Sequence, residues 1–347
     1  MNYDTSKYAL VDYCYQDFAK NELDKTDFIT TIKDTPDPLV TIIHHTDMDG
    51  ICSAQIMKDY CKLILDVPIR LVAYNYKKDF NFNSVIKEYS KFIIAVDLSL
   101  PYITWYNILS KNNFDRRCLW IDHHVGSVRE IYGNDNLIND LPIEKFINVN
   151  GCGTKLVYDL VKESFKDRFN ERTISLVDTY DRWLDTDDKY WADCLNKYLY
   201  SSNQLFVDSI PVRDVLYKEY NKLSAALTKG NTYLQLDKER NEFRYNDFHE
   251  EFTLNTPDGS RYKACVLWGE GNSQIFGDHI NEFDVVIRAN YNKEEDQYYF
   301  SFYTSKEDVD CCDIAKQYGG SGHKSASGCM TNYNILVKRW TISQCVK

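Results

Sequence analysis

Three short apolar runs constrain the fold of this chain most strongly, because each reads as a strand buried on both faces. They span residues 39–43, 92–96 and 118–121. Apolar runs of about four to eight residues, separated by helical patterns, are typical of central strands in a parallel sheet that helices cover on both sides. We therefore predict an α/β fold built on a parallel sheet with helices on both faces.

Acidic and histidine side chains follow each run directly. Residues 44–50 (HHTDMDG) follow the first run, Asp97 follows the second, and Asp-His-His at 122–124 follows the third. The carboxyl ends of parallel strands meet at one edge of the sheet, where open α/β folds bind ligands. Imidazole and carboxylate groups together suit manganese, iron or zinc better than calcium, so the sequence predicts a transition-metal site at this edge.

Several carboxylates at one edge of the sheet favour the binding of cations there. Asp47, Asp49 and Asp97 cannot all stay ionised in a cleft unless positive charge neutralises them. A carboxylate between two metal ions about 3.5–4 Å apart is typical of centres that activate water for attack on phosphorus. A calcium loop of the EF-hand type is an alternative for Asp47-x-Asp49-Gly, but no glutamate stands at the twelfth position.

Five motifs occur in order along the chain. The first three are His-x-Asp-x-Asp-Gly at 45–50, the strand-end Asp97, and Asp-His-His at 122–124. The fourth is an acid that ends a helix, for which Asp181 is the first candidate and Asp178 a competing one. The fifth is the glycine-rich segment GGSGHKSASG at 319–328.

This order of motifs resembles the DHH phosphoesterase superfamily with its C-terminal DHHA1 domain, and within it most closely the bacterial nano-RNA oligoribonucleases. The resemblance covers the chain from about Val40 to Gly328. It implies a pair of Mn²⁺ ions, with Mg²⁺, Co²⁺ or Fe²⁺ as substitutes. The implied metal ligands are His45 and Asp47 for one ion, Asp49, His123 and Asp181 for the other, and Asp97 for both.

The resemblance also implies roles around these metals. Asp97 and His123 are implied to be catalytic, together with His124, which faces the scissile phosphate, and Asp122, which orients the histidine pair through hydrogen bonds. The glycine-rich loop is implied to clamp a substrate phosphate, because backbone N–H groups and an imidazole suit an anion. The implied substrate-binding residues are His124, Gly320, Gly322, His323 and Lys324.

The chain departs from the family in the second domain. The family often carries Ser-Leu-Arg-Ser before the DHHA1 helix, whereas residues 301–305 read Ser-Phe-Tyr-Thr-Ser and lack the arginine. Lys306, Lys324 and Arg288 are candidates to replace it. Ser321 stands where the third glycine is usual, and we expect the loop to tolerate this small change.

The predicted organisation has three parts. Residues 1–207 form the DHH metal-binding catalytic domain, which begins with a helical segment at 1–36. Residues 208–250 form a charged helical connector whose single break is Gly230, and residues 251–347 form a smaller α/β DHHA1 domain for substrate binding. We expect this domain to cover the mouth of the first, with His323 opposite Asp97.

Composition limits the class of substrate and the cellular setting that we expect for this chain. A net charge of −11 leaves no broad basic surface for long duplex nucleic acid, which favours a small phosphorylated substrate. The eleven cysteines include no Cys-x-x-Cys pair, and neither a signal pattern nor a membrane-spanning run is visible, which predicts a cytoplasmic protein with reduced thiols. A homodimer is compatible with these features.

The resulting functional hypothesis is a manganese-dependent phosphodiesterase that degrades short oligonucleotides to 5′-mononucleotides by a two-metal mechanism. Alternatives within the class are hydrolysis of cyclic dinucleotides or cyclic oligonucleotides and of 3′-phosphoadenosine 5′-phosphate. A module that binds nucleotides without turnover is an alternative from another class. An inorganic pyrophosphatase is disfavoured, because that family spaces its first His and Asp further apart than His45 and Asp47.

Overall fold

The computed structural model of the chain describes residues 27–76, 81–86, 90–111, 114–124, 127, 131, 137–165, 167–322 and 324–336. The described chain divides into two compact units, with the boundary between Leu234 and Gln235. The first 26 residues of the predicted N-terminal helical segment lie outside the described residues. The rest of that segment contains helix α1, Asp27–Asp34.

A five-stranded parallel sheet forms the centre of the first unit. Its strands are β1 (Val40–His44), β2 (Ile69–Ala73), β3 (Phe92–Val96), β4 (Arg117–Asp122) and β5 (Ile143–Ile147). They lie in the order β2-β1-β3-β4-β5, and every neighbouring pair is parallel. All residues of β1 and β3 are buried, which matches the apolar runs at 39–43 and 92–96 that predicted them. The predicted parallel sheet is therefore confirmed, and β5 is a strand that the apolar runs did not indicate.

Helices cover both faces of this sheet. After α1, the α-helices in this part of the chain are α2 (Met48–Leu63), α3 (Phe82–Val85), α4 (Tyr102–Ser110), α5 (Gly153–Val161), α6 (Glu171–Asp181), α7 (Lys189–Ser201), α8 (Ile210–Leu216) and α9 (Leu223–Phe248), the last of which continues into the second unit. Ile42 and Ile94 pack in one hydrophobic cluster with residues of α2 and α5, and Ile43 packs on the opposite face with Trp105 of α4. Successive strand residues point to opposite faces, so side chains of the two clusters alternate along a strand.

Gly230 does not break a helix, contrary to the prediction. Helix α9 runs from Leu223 to Phe248 without interruption. A Cβ atom on Gly230 would lie 1.9 Å from the carbonyl oxygen of Cys194 in α7. Glycine therefore serves the close approach of α9 and α7, which outweighs its low helix propensity.

The second unit contains a six-stranded mixed sheet. Its strands are β6 (Glu250–Asn255), β7 (Arg261–Trp268), β8 (Val285–Asn292), β9 (Gln297–Tyr303), β10 (Ser321–Gly322) and β11 (Ala326–Thr331), in the order β10-β11-β9-β8-β7-β6. Among the strands described in this second sheet, only β7 and β8 pair in parallel. Alternating apolar and polar residues over 262–268, 283–291 and 297–304 predict three of these strands, and the short helix α10 (Cys311–Lys316) lies inside the segment 309–318, which the sequence also predicts to be helical.

The sequence also predicts a helix near 274–281. The structure has 3₁₀ helical turns over Ser273–Glu282 with a kink at Gly277, whose φ of 52° and ψ of −136° are not helical. A helical segment is therefore present where it was predicted, as short 3₁₀ turns rather than one regular helix. The mixed α/β class with a second, smaller sheet is confirmed.

Candidate metal centre

The ends of three neighbouring strands bring the predicted ligands together. Strand β1 lies between β2 and β3, and β3 pairs with β4, so the segments after β1, β3 and β4 are adjacent. His45 follows β1, Asp97 follows β3, and Asp122 ends β4. The polar cluster therefore forms at the carboxyl edge of the sheet, as the order of apolar runs and acidic residues predicted.

The first group of potential ligands contains His45, Asp47 and Asp97, whose ligating atoms lie within 4.8 Å of one another. Nδ1 of His45 is 2.8 Å from Oδ2 of Asp47 and 3.9 Å from Oδ2 of Asp97. Asp47 also caps α2 by accepting the N–H of Gly50 at 2.9 Å. The cap fixes the carboxylate at the end of β1, where it meets His45.

The second group contains Asp49, His123 and Asp181, again within 4.8 Å. Nε2 of His123 lies 3.6 Å from Oδ2 of Asp49 and 3.3 Å from Oδ2 of Asp181. The same nitrogen lies 3.1 Å from Oδ1 of Asp97. These are the sets that the family resemblance implied for two metal ions, and their role as ligands stays a prediction.

Asp97 stands between the two groups. Its Oδ1 faces His123 and its Oδ2 faces His45. The residue is 1% exposed, its Oδ2 has no hydrogen-bond partner among the described residues, and its φ of 55° lies in the left-handed region. Burial and the negative charges of Asp49 and Asp47 raise the pKa of Asp97 well above its usual range. A buried oxygen without a donor is costly, so this donor set fits divalent cations.

Backbone donors of α5 hold Asp49 in place. The N–H of Gly153 donates to Oδ2 of Asp49 at 2.6 Å, and the N–H of Thr154 donates to Oδ1 at 2.7 Å. A carboxylate at a helix N-terminus is favoured by the helix dipole. A Cβ atom on Gly153 would lie 2.8 Å from Cβ of Asp97, so only glycine permits this approach. The Gly-Cys-Gly sequence at 151–153 predicts a turn before α5, but sequence reasoning missed the contact of this turn with the centre.

Asp122 and His124 form a tight pair next to the two groups. Oδ1 of Asp122 lies 2.7 Å from Nδ1 of His124, and the hydroxyl of Ser127 donates to Oδ2 of the buried Asp122. Burial alone would lower the pKa of His124, but the hydrogen bond and charge of Asp122 raise it to about 9. In the metal-free protein this favours the protonated imidazole, and 38% of its side chain is exposed, which allows it to meet an anion.

The structure separates the two candidates for the fourth motif. Asp181, the last residue of α6, faces His123, whereas Asp178 accepts the N–H of Cys152 at 2.7 Å and pairs with Arg182 at 3.3 Å. Burial and the charges of Asp49 and Asp47 raise the pKa of Asp181 to about 8. Asp181 therefore lies within the acidic cluster, and Asp178 supports the turn before α5.

Asn75 and Tyr76 also belong to this edge, and sequence reasoning missed both. Oδ1 of Asn75 lies 3.3 Å from Nε2 of His45, and the ring of Tyr76 lies 5.4 Å from the ring of His45, measured between centroids. An Nε2–H donated to Asn75 leaves Nδ1 of His45 free to accept a proton or a metal ion. Both residues follow β2. They could have been found by the same reasoning that was used for β1, β3 and β4, because polar residues at the carboxyl ends of parallel strands meet at one edge of the sheet.

The predicted substrate-binding loop lies in the second unit. His323 lies outside the described residues. Gly320 lines a cavity of about 320 Å³ whose other lining residues include Arg288 and Ser301. Gly322 is in β10, and Lys324 is exposed. The guanidinium of Arg288 donates to Oγ of Ser301 at 2.9 Å, and its Nε is buried without a hydrogen-bond partner in the described chain. The substrate-binding role of these residues stays a prediction.

Comparison with known proteins gives one family. Residues 39–180 match the DHH family, N-terminal domain. This segment includes every residue of the two ligand groups except Asp181, which follows its last residue directly. The match lies within the first unit of the chain, and it includes the segments after β1, β3 and β4 that form the acidic edge of the sheet. No curated protein matches the sequence.

Solved structures resemble the chain at low identity. The exonuclease RecJ bound to manganese shares 11% identity with a TM-score of 0.49, over 86% of this chain and 88% of that one. RecJ from Thermus thermophilus in complex with Mn²⁺ shares 11% identity with a TM-score of 0.47, over 86% of this chain and 51% of that one. The pGpG-specific phosphodiesterase PggH from Vibrio cholerae shares 12% identity with a TM-score of 0.43, over 85% and 93%. None of these likenesses defines what this chain binds or cleaves.

Two further predictions concern membrane-spanning segments and the state of the cysteine thiols. Within the described residues, no helix is long and apolar enough to cross a membrane. The nine cysteines in the described part of the chain are free thiols, and eight of them are buried. Burial raises the pKa of Cys61 and Cys118 to about 12, so these thiols are unreactive.

Proposed function

We propose that this chain is a metal-dependent phosphoesterase whose reacting centre lies around Asp97. The observation that carries the proposal is the buried Oδ2 of Asp97, which faces His45 but has no hydrogen-bond donor among the described residues. Oδ1 of the same carboxylate faces His123. A carboxylate with this strain, burial and position between two ligand groups is suited to bridge two cations.

The residues divide between two ions. His45 and Asp47 would hold one, Asp49, His123 and Asp181 would hold the other, and Asp97 would contact both. Divalent metal ions in such a centre supply positive charge that activates water and neutralises phosphate oxygens. Burial lowers the pKa of His123, which keeps its imidazole neutral and able to act as a ligand.

The remaining groups act on the substrate. The protonated imidazole of His124 would donate a hydrogen bond to a phosphate oxygen, and its charge would become more effective as water is excluded. Asp122 fixes the ring through Nδ1, so Nε2 is the nitrogen that remains free for this contact. Asn75 similarly orients His45.

The substrate proposed is a short oligonucleotide, cleaved to 5′-mononucleotides with Mn²⁺ as the natural ion. Mixed imidazole and carboxylate ligands support manganese over magnesium alone. The net charge of −11 supports a small substrate over long nucleic acid. In this proposal Gly320, Gly322, His323 and Lys324 grip a terminal phosphate and thereby select short strands.

Product analysis tests this function. Metal-stripped protein reloaded with Mn²⁺ is incubated with 5′-phosphorylated di- to octanucleotides, cyclic dinucleotides and 3′-phosphoadenosine 5′-phosphate, and products are separated by chromatography. Loss of dinucleotides, with longer strands slower, is the expected result. Asp97→Ala should lose several orders of magnitude in rate, and Asp167→Ala, whose side chain is 91% exposed, serves as the control.

Other outcomes separate the alternatives. Turnover confined to cyclic dinucleotides or to 3′-phosphoadenosine 5′-phosphate would replace the oligonucleotide proposal but retain the metal centre. Tight nucleotide binding that needs no metal, with no product from wild type or Asp97→Ala, would instead indicate a sequestering module.

A further inference from the structure

Tyr76 lies beside the candidate metal centre without belonging to either ligand group. It follows β2, the strand next to β1, and its ring centroid is 5.4 Å from that of His45 with an angle of 57° between the planes. His45 in turn contacts Asp47 through Nδ1. The phenol ring therefore lies against His45, a residue that would itself hold a metal ion.

The tyrosine is held by both its backbone and its hydroxyl. Its φ of 43° is in the left-handed region, which non-glycine residues seldom adopt. Its hydroxyl accepts the backbone N–H of Ser99 at 2.8 Å, and Ser99 is two residues beyond Asp97. The side chain thus spans from the segment after β2 to the segment after β3, across the end of β1 that lies between them.

The ring stays accessible despite this anchoring. Tyr76 is 43% exposed, although one side of its ring meets His45 and the ring of Tyr74 lies 5.4 Å away. The hydroxyl accepts the N–H of Ser99 and keeps its own O–H as a donor, so the residue can offer a ligand both that donor and its exposed ring. Rigid aromatic faces beside a phosphate site are suited to stack on nucleobases.

We propose that Tyr76 stacks on the base attached to the phosphate that the metal centre binds, so that an aromatic base is a requirement for recognition. This inference rests on the proposed function and adds to it the chemical class of the group beside the phosphate. Stacking is tolerant of base identity, so discrimination is expected between a base and no base rather than among the four bases.

A pair of ligands that differ only in the base tests the inference. Binding of AMP and of ribose 5-phosphate to the Mn²⁺-loaded protein is measured by calorimetry for wild type, Tyr76→Phe and Tyr76→Leu. Wild type should bind AMP roughly tenfold more tightly than ribose 5-phosphate. Tyr76→Leu should lose this ratio, and Tyr76→Phe, which keeps the ring, should retain it.

Matched controls separate stacking from a structural role. Tyr106→Leu removes a tyrosine of α4 that is 39% exposed and packs against Tyr102 and Phe114, and it should leave the ratio unchanged. Metal content is measured for every variant. If Tyr76 only positioned His45, Tyr76→Leu would lower metal content and weaken both ligands equally, and the inference would be overturned.

The same data separate this inference from the proposed function. Equal affinity of wild type for AMP and ribose 5-phosphate overturns the stacking role even if dinucleotides are hydrolysed. A preference for AMP that depends on Tyr76, in a protein that hydrolyses nothing in the panel, supports stacking while the hydrolase proposal fails. Kinetics with a dinucleotide and its abasic analogue should place the effect of Tyr76→Leu in KM for the dinucleotide alone.

Discussion

Oδ1 of Asp122 lies 2.7 Å from Nδ1 of His124, and this contact decides both the charge and the orientation of the exposed imidazole. Asp122 is fully buried, and the hydroxyl of Ser127 donates to its other oxygen. The carboxylate therefore stays ionised, since the pKa lowering by His124 and Ser127 exceeds the opposing effect of burial.

Removing that charge should change how His124 titrates. In metal-free Asp122→Asn, the pKa of His124 is expected to fall from about 9 toward the ordinary histidine value, because the partner no longer stabilises the imidazolium. NMR titration of the imidazole measures it. Activity near neutral pH should drop about 10- to 100-fold. An unchanged pKa would show that acidic residues other than Asp122 raise the pKa of His124.

Asp97→Asn should uncouple stability from metal binding. The amide removes a buried charge that Asp49 and Asp47 repel, so the metal-free variant should unfold at the wild-type temperature or higher. Wild type should gain about 2.7 kcal/mol when free Mn²⁺ is about 100 times its Kd, and the variant should gain far less. Thermal unfolding with and without Mn²⁺ measures both. A large loss of stability in the metal-free variant would contradict the argument that Asp49 and Asp47 repel the charge of Asp97.

Gly153 and Gly151 form a matched pair in the turn before α5. Gly153→Ala should destabilise the protein by about 1–3 kcal/mol, because the new Cβ would lie 2.8 Å from Cβ of Asp97. Gly151→Ala meets only the flexible side chain of Lys155 at 3.3 Å and should cost much less. Denaturant unfolding of both variants checks the difference, and equal costs would refute the close-packing argument.

Asp181 and Asp178, one turn apart in α6, should differ in metal stoichiometry. Asp181→Asn removes a group that faces His123, so binding of the second ion should weaken by at least about tenfold. Asp178→Asn should keep two ions per chain and lose stability instead, since Asp178 accepts the N–H of Cys152. Elemental analysis after dialysis against Mn²⁺ gives the counts. Reversal of the two results would reassign the fourth motif.

His279 should make the second unit less stable at alkaline pH. Its Nδ1 lies 2.7 Å from Oε1 of Glu282, its Nε2 lies 3.2 Å from both carboxylate oxygens of Glu242, and its ring stacks on Tyr245. Burial opposes protonation, but the two glutamates raise the pKa of His279 above its usual value.

The sign of the pH effect follows from that direction. A histidine whose pKa is higher in the folded state stabilises the fold fully below its unfolded pKa of about 6.5 and loses this contribution as pH rises through the folded pKa. The free energy of unfolding should therefore decrease above about pH 6.5. His279→Gln should flatten this part of the pH profile, and an unaltered slope would assign the effect to other groups.

Much of the first unit was predictable from local patterns. The strands β1, β3 and β4 are apolar runs, and their ends carry the polar residues that converge in the structure. Strand β5 was missed because Glu144 and Lys145 interrupt its apolar pattern, and it lies next to only one other strand of the sheet. Gly230 was misread as a helix break, since only the approach of α7 reveals why a glycine stands there.

The sequence alone determined which residue types occur at the carboxyl ends of the strands, because the apolar continuity of each strand follows from local hydrophobicity. It left open whether Asp178 or Asp181 joins the cluster, and it did not indicate that Gly153, Asn75 and Tyr76 surround it. Those contacts join residues distant in the chain, and they depend on how α5, α6 and the segment after β2 pack against the sheet edge. Only the tertiary structure decides such approaches, since distances of a few ångströms between elements are not encoded in any local pattern.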